Sequence, residues 1–370
     1  MIKLVTLVGT RPEIIKLSEA IKKFDKFFDH ILIHSGQHYD HELSEIFFKE
    51  LGLNKPNIFL GSAKKNAVET ICSVINNFYK ELKKINPDAV VVLGDTNSAM
   101  GVFAAKKLRI PIFHLEAGNR CFNQNNPEEL NRKLIDQISD INLPYTSIAR
   151  SYLLKDGIDP DKIIKVGSPM YEVLNANKLK IKKTNTLKKL NLKKNSYFLI
   201  SFHREENILN NKKIKEFIEL LSYLAKKYKM PIIVSTHFRT KEILQKQNFS
   251  HKLIKFYKPF GFLDYINLEI NSKVVLSDSG SLTEESSILN FKAIDLRDEN
   301  ERPEGMEEGA IVLTGLDLEK IKTALKFLID KNIKLPKNIV NDYKSKNFSD
   351  KVVNTVISYI NYVNRKNWSK

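Results

Sequence analysis

The sequence predicts an α/β chain of two Rossmann-like, doubly wound parallel-sheet domains, and three observations predict it. Apolar runs alternate with stretches of helical spacing along the whole chain, the rhythm of parallel strands and crossover helices. The runs are apolar throughout, as strands buried on both faces read. At 370 residues the chain exceeds the usual size of one hydrophobic core, and the rhythm starts a second time after a segment rich in Lys and Asn, Asn175 to Ser196, which reads as a linker. The domains are therefore assigned to residues 1–174 and 175–350.

Composition sets the remaining bounds. With 42% hydrophobic residues the chain is globular, no run reaches the roughly eighteen apolar residues of a membrane span, and the start lacks a signal-peptide pattern. A soluble, cytoplasmic protein is expected. Cys72 and Cys121 have neither disulfide nor zinc spacing. The net charge of +17 raises nucleic-acid binding, but the lysines are scattered as pairs on solvated faces, so no nucleic-acid partner is expected. A basic field still draws in an anionic small substrate.

In the first half, Ile2 to Val8 reads as a strand that ends in Gly9-Thr10-Arg11-Pro12-Glu13, and Ile14 to Phe24 continues as a helix with Pro12 in its first turn. Glycine, hydroxyl, arginine and a helix start make an anion site with Lys16 one turn further in; standing alone, Arg11 and Lys16 would read as surface cations. The strand His30 to His34 leads to a polar loop holding His38, then to helices over Glu42 to Leu51 and Ala67 to Ile85.

The strand Ala89 to Leu93 stops at Gly94-Asp95, where Thr96, Asn97 and Ser98 offer caps for a helix from Ala99 to Leu108. The next strand, Ile110 to Leu115, stops at Glu116-Ala117-Gly118. Two successive strands thus deliver carboxylates at the edge where α/β sheets bind ligands. Pro127 and Glu128-Glu129 open a further helix, with Arg132 one turn on, so Asp95, Glu116 and Glu128 converge on one crevice. Blander readings stand beside this one: Asp95 as a helix cap, Glu129 in place of Glu128, and Arg132 with Asp136 as a helix-surface pair. Ile135 to Leu143 and Ser147 to Lys155 read as helical, and Ile163 to Val166 as the last strand of this half.

The second half repeats the pattern: Tyr197 to Phe202, a helix from Lys212 to Tyr228, Pro231 to Thr236, a helix from Thr240, Leu253 to Phe256, a helix over Leu263 to Asn271, and Val274 to Leu276. Its first strand ends in His203-Arg204-Glu205-Glu206-Asn207, where His203 reads as facing phosphate or as a core histidine. The later strand ends in Ser277 to Glu285, a hydroxyl- and glycine-rich turn opening a helix, which suits a diphosphate.

Seven motifs occur in one order: GTRPEIIKL from Gly9, GDTNS from Gly94, LEAGNR from Leu115, PEELNR from Pro127, HREEN from His203, SDSGSLTEE from Ser277 and ERPEG from Glu301. In order and spacing they resemble the non-hydrolysing UDP-N-acetylglucosamine 2-epimerases over nearly the whole chain. The resemblance implies a GT-B-like fold with the nucleotide in an interdomain cleft. It also implies a terminal helix, Lys351 to Val363 within residues 351–370, packing back on the first domain. It assigns UDP binding to Arg11, Lys16, His203, Ser279, Gly280, Glu285 and Arg302, with Glu285 at the ribose, and catalysis to Asp95, Glu116, Glu128 and His203. No cofactor or metal is implied, and a homodimer is. Glu205, Ser281 and Asn119 depart from the usual arginine, glycine and leucine.

LEAGNRCF, LIDQISDINLPY and HREEN resemble the branch that interconverts UDP-2-acetamido-2,6-dideoxy-L-talose and UDP-N-acetyl-L-fucosamine for surface polysaccharide; UDP-GlcNAc/UDP-ManNAc epimerisation is the plainer reading. A 6-deoxy sugar carries a methyl group that Cys121-Phe122 would meet, unless Phe122 is core. A glycosyltransferase of the same architecture and a basic nucleic-acid-binding protein are the rival classes.

Overall fold

A computed structural model of the chain describes residues 1–37, 41–202, 208, 210–235, 249–330 and 340–370, with the side chains of 41–45 set aside. Among these residues the chain divides into two compact units, Met1–Ala176 with Asp342–Lys370, and Asn177–Asn341. His38, His203 to Asn207 and the helix expected from Thr240 lie outside the described residues.

The first unit is built on six parallel strands: β1 (Lys3–Val8), β2 (Asp29–His34), β3 (Ile58–Phe59), β4 (Ala89–Leu93), β5 (Ile112–Leu115) and β6 (Ile141–Leu143). Their order is β3-β2-β1-β4-β5-β6, so the winding reverses between β1 and β4. Every residue of β4 and β5 is buried, which is why both read as unbroken apolar runs. On one face Val5, Leu7, Val90 and Val92 pack with Val74, Phe78 and Leu82 of the helix Ala67–Ile85. The final helix, Phe348–Trp368, packs on the helix Arg11–Phe27. Its start is fixed by Ser349, whose N–H and hydroxyl donate to Glu172 at 2.8 and 2.6 Å.

The second unit repeats the plan with β7 (Phe198–Ser201), β8 (Ile232–Ser235), β9 (Ile254–Tyr257), β10 (Val274–Ser277), β11 (Ala293–Asp295) and β12 (Val312–Leu313). The order β12-β11-β10-β7-β8-β9 again places the reversal between the first and fourth strands of the unit, here β7 and β10. Phe198, Ile200, Val274 and Leu276 meet Phe217, Leu221 and Leu224 of the helix Asn211–Tyr228. Each unit is thus a Rossmann-like doubly wound domain, and the chain has the GT-B-like α/β fold.

Three local expectations are corrected. The stretch Ile135 to Leu143 is not helical throughout: the helix Pro127–Ile138 ends, Ser139 is extended, and β6 follows. Asp140 makes that break by accepting the Ile112 N–H at 3.0 Å. Ile163 to Val166 forms no strand, because only Ile163 makes a bridge, to Asn142. Asn175 to Ser196 is folded and no open linker: it carries the helices Lys178–Lys183 and Thr186–Lys189. Ile181 is buried there, its carbonyl accepts from Asn267 at 3.0 Å, and Thr186 bonds Asp264.

Candidate active site

The carboxylates Asp95 and Glu116 come together at the C-terminal edge of the first sheet. β4 and β5 pair in register, Leu93 with Leu115, and the Gly94 N–H donates to the Leu115 carbonyl at 2.9 Å. Glu116 has φ +63°, in the left-handed region that a non-glycine residue occupies at a cost of about 1–3 kcal/mol. Strain of that size persists where neighbours hold the residue in place, and the neighbours here are charged.

Lys16 reaches Glu116 from the helix Arg11–Phe27 as an ion pair whose side chains are 7% and 6% exposed. From the other side, Arg132 donates to the Glu116 carbonyl at 2.8 Å and approaches its carboxylate at 3.4 Å, while its second terminal nitrogen pairs with Asp95. Asn131 adds a bond to the Asp95 carbonyl at 3.0 Å. One cation therefore ties the two strand-end carboxylates together, and a second one flanks Glu116. Neither Asp95 as a simple cap nor Arg132 as a surface partner of Asp136 describes this arrangement.

Asp136 serves a different network. Its carboxylate lies 2.9 Å from His114 Nδ1 and 2.6 Å from Arg120, and it accepts the Gly118 N–H at 3.2 Å. Burial works to raise its carboxyl, but the neighbouring His114 and Arg120 outweigh that and hold it below the usual carboxylate range. Through His114, whose Nε2 donates to the Gly94 carbonyl at 2.8 Å, this network braces the backbone that carries Asp95 and Glu116.

Glu128 and Glu129 divide in environment. Glu129 is buried, accepts the Cys121 N–H at 2.8 Å and pairs with Lys133 at 3.2 Å, so it holds the preceding loop. Glu128 shares a helix face with Asn131 and Arg132, three and four residues on, and its Oε2 is buried without a hydrogen-bond partner among the described residues. Phe122 is not core: it is 67% exposed, with its ring edge-on to Tyr152 at 5.2 Å.

Beside these residues lies the turn after β1. Glu13 accepts from the Gly9 and Thr10 N–H groups at 2.8 and 2.6 Å, and from the Thr10 and Thr96 hydroxyls at 2.8 and 2.9 Å. It joins the Gly9–Arg11 turn to the Asp95 turn across the winding reversal. Burial pushes its carboxyl up to about 7, against the four donors that favour the charged form. A Cβ on Gly9 would lie 1.8 Å from Ser98 Oγ and 2.3 Å from Ser35 Oγ, so the close approach requires glycine. Arg11 stands in the first helical turn, its guanidinium 5.8 Å from the centre of the Phe47 ring.

In the second unit, Ser279, Gly280 and Ser281 form the turn after β10, with Ser279 and Ser281 hydroxyls 3.0 Å apart. A Cβ on Gly280 would lie 3.2 Å from an Arg302 terminal nitrogen, which places that guanidinium over the turn. Arg302 is held by Glu284 at 3.3 Å. Glu285 follows in the first turn of the helix Leu282–Leu289 and is buried. The structure brings Lys16, Asp95 and Glu116 together around Arg132, while Arg11 and Glu128 lie in the same first unit and Ser279, Gly280, Glu285 and Arg302 in the second.

Glu13, Arg132 and the His114–Asp136–Arg120 network are members of the site to which sequence reasoning gives no role in it, Arg132 and Asp136 reading as a helix-surface pair. No sequence signal marks Arg132: its helix buries Glu129, Asn131, Arg132 and Asp136 along with Ile135 while leaving Leu130 and Leu134 exposed, against the ordinary amphipathic pattern.

Known proteins share this fold. The profile of the UDP-N-acetylglucosamine 2-epimerase family matches residues 20–357. The structure of a UDP-N-acetylglucosamine 2-epimerase from Rickettsia bellii is 44% identical, with TM-score 0.93 and full coverage of both chains. That of the Methanocaldococcus jannaschii UDP-GlcNAc 2-epimerase, in complex with UDP-GlcNAc and UDP, is 37% identical with TM-score 0.90, covering 97% of this chain and 100% of the other. A UDP-2,3-diacetamido-2,3-dideoxy-D-glucuronate 2-epimerase of Pseudomonas aeruginosa is 31% identical over 90% of this chain and 93% of its own. The fold and the extent of the match agree with these relatives, and the chain belongs to the UDP-N-acetylglucosamine 2-epimerase family of isomerases.

Proposed function

We propose that the chain is a non-hydrolysing UDP-N-acetylhexosamine 2-epimerase that inverts C2 by eliminating UDP and adding it back. The observation that carries this reading is the Lys16–Glu116–Arg132–Asp95 cluster, buried except at Asp95, at the C-terminal edge of the first sheet. The hydrogen at C2 beside an acetamido nitrogen is not acidic, so its loss is coupled to cleavage of the C1–O bond. A carboxylate takes the proton, the C2–H pair becomes the C1=C2 bond, and UDP leaves with the C1–O pair. The 2-acetamidoglycal then receives a proton on the opposite face of C2, and UDP adds back at C1. Base and acid on two faces of one ring require at least two ionisable groups.

Asp95, Glu116 and Glu128 are assigned this proton transfer, and Glu128 is preferred to Glu129 because the latter is engaged with Cys121 and Lys133. His203 joins them as a catalytic and UDP-contacting residue. Arg11, Lys16, Ser279, Gly280, Glu285 and Arg302 are assigned to UDP, where cations and turn amides stabilise the leaving diphosphate. Glu285 takes the ribose hydroxyls. We place the enzyme in the cytoplasm as a homodimer serving surface-polysaccharide synthesis; none of the described helices is long and apolar enough to cross a membrane.

For the sugar, the motif details favour UDP-2-acetamido-2,6-dideoxy-L-talose and UDP-N-acetyl-L-fucosamine. The exposed Phe122 beside Cys121 is available to a methyl group. The UDP-GlcNAc complex of the Methanocaldococcus jannaschii relative favours UDP-GlcNAc/UDP-ManNAc as the second reading. Incubating the enzyme with each sugar nucleotide in deuterated water and following C2 by NMR tests both. Deuterium entering at C2 of the product without net UDP release is expected, and the faster substrate identifies the branch. A strict need for an acceptor sugar points instead to a glycosyltransferase, and epimerisation without solvent isotope overturns the elimination route.

A further inference from the structure

Glu13 makes more bonds than its place in the chain asks for. It is the third helical residue after the N-cap Thr10, where a glutamate ordinarily reaches back to the N-cap N–H and completes a capping box. One oxygen, Oε2, does that and more: it accepts the Gly9 and Thr10 N–H groups at 2.8 and 2.6 Å and the Thr10 hydroxyl at 2.8 Å. The other, Oε1, takes no part in the cap. It accepts the Thr96 hydroxyl at 2.9 Å, from a residue 83 positions away in the turn after β4. Glu13 is 1% exposed, and a carboxyl is costly to bury for a cap that a solvated side chain supplies as well.

The two turns joined in this way follow β1 and β4, the strands on either side of the winding reversal, where doubly wound sheets bind their ligands. The first turn leads into Arg11, assigned to UDP, and the second carries Asp95, assigned to proton transfer. The Asp95 turn is also gripped from the helix Pro127–Ile138, by Arg132 at the carboxylate and by Asn131, which donates to the Asp95 carbonyl at 3.0 Å. Thr96 is the second grip. Its oxygen accepts the Ala99 N–H at 3.3 Å while its proton goes to Glu13, so the hydroxyl has a fixed direction.

We propose that Glu13 is a positioning residue: through Thr96 it sets the Asp95 turn at a fixed spacing from the Arg11 turn, and so brings the acid to C2 of a sugar whose nucleotide Arg11 holds. The proposal rests on the roles assigned to Asp95 and Arg11 above.

The test compares wild type, Thr96→Val, Thr96→Ser, Glu13→Ala and the Thr96→Val/Glu13→Ala double variant. Turnover is followed as deuterium entry at C2 in deuterated water, with the faster of UDP-GlcNAc and UDP-2-acetamido-2,6-dideoxy-L-talose. Calorimetry gives UDP affinity, and thermal unfolding shows that each variant is folded. Thr96→Val keeps the shape of the side chain and every bond to Glu13 Oε2, so kcat should fall by about tenfold to a hundredfold while UDP affinity stays within about twofold. Thr96→Ser keeps the hydroxyl and should keep most of kcat. Glu13→Ala frees both turns: kcat should fall as far, and UDP should bind about tenfold more weakly, the size of one hydrogen bond to a charged group. Residues that act through one bond are not additive, so the double variant should be no slower than Glu13→Ala alone. Unchanged kcat in Thr96→Val, an equal loss in Thr96→Ser, or additive losses in the double variant overturns the proposal. Asp95→Asn, run alongside, separates it from the reading beneath it: full turnover there removes Asp95 from proton transfer, and this proposal with it. Should Thr96→Val fail to fold, Thr96→Ala, which leaves room for a water at Glu13 Oε1, is read in the same way.

Discussion

Arg132 holds the Glu116 main-chain carbonyl at 2.8 Å with one terminal nitrogen and the Asp95 carboxylate with the other. The planar fork sets the spacing of two acids that come from different strands. A lysine supplies the charge but one point of contact, so Arg132→Lys should leave one acid misplaced. We expect kcat to fall by about a hundredfold, the order that a displacement near 1 Å costs. UDP affinity should stay within about twofold. Steady-state kinetics with calorimetry checks both, and an unchanged kcat removes Arg132 from the positioning of the acids.

Glu116→Gln keeps the shape of the side chain and removes its capacity to take a proton. Turnover should fall by at least about a thousandfold, the upper part of what a general acid or base contributes. UDP should still bind. Near-normal activity excludes Glu116 from proton transfer.

Glu13 gives stability a defined dependence on pH. Its carboxyl is raised from 4.5 to about 7 on folding, so the folded state binds the proton more tightly than the unfolded one. The contribution is therefore full below pH 4.5 and is lost as the pH rises to about 7, amounting to about 3 kcal/mol across that window. Glu13→Gln accepts from Gly9 and Thr10 and donates to Thr96 at every pH. Urea unfolding at a series of pH values should show that segment of the curve flattened in the variant, and parallel curves would contradict it.

Gly9→Ala pushes a methyl group into Ser98 and Ser35, whose hydroxyls are bonded to each other at 2.6 Å and cannot both retreat. A loss of about 1–3 kcal/mol is expected, as for other overpacked sites. Adding Ser98→Gly removes the nearest contact and should recover part of it. Thermal unfolding of the single and double variants measures the difference.

What could be read from the residues follows from how each element is stabilised. β1, β4, β7 and β10 announce themselves because strands covered on both faces are apolar along most of their length. β3, β11 and β12, of two or three residues, show no period at all, and β6 hides behind the helix that precedes it. Asp95 and Glu116 were legible from their place after a strand. Their partner Arg132 was not, since an arginine four residues before an aspartate on a helix ordinarily marks a solvated face. The left-handed backbone at Glu116 leaves no trace in a sequence where the residue is not glycine.

The helix Phe348–Trp368 belongs with residues that begin at Met1, although the whole second unit is encoded between them. During translation the ribosome therefore releases this last wall of the first unit only after the whole second unit has been made. Until then the surface that will receive Val352, Val356 and Ile360 stays open to water, and the nascent chain depends on chaperones or on speed to keep it from sticking elsewhere.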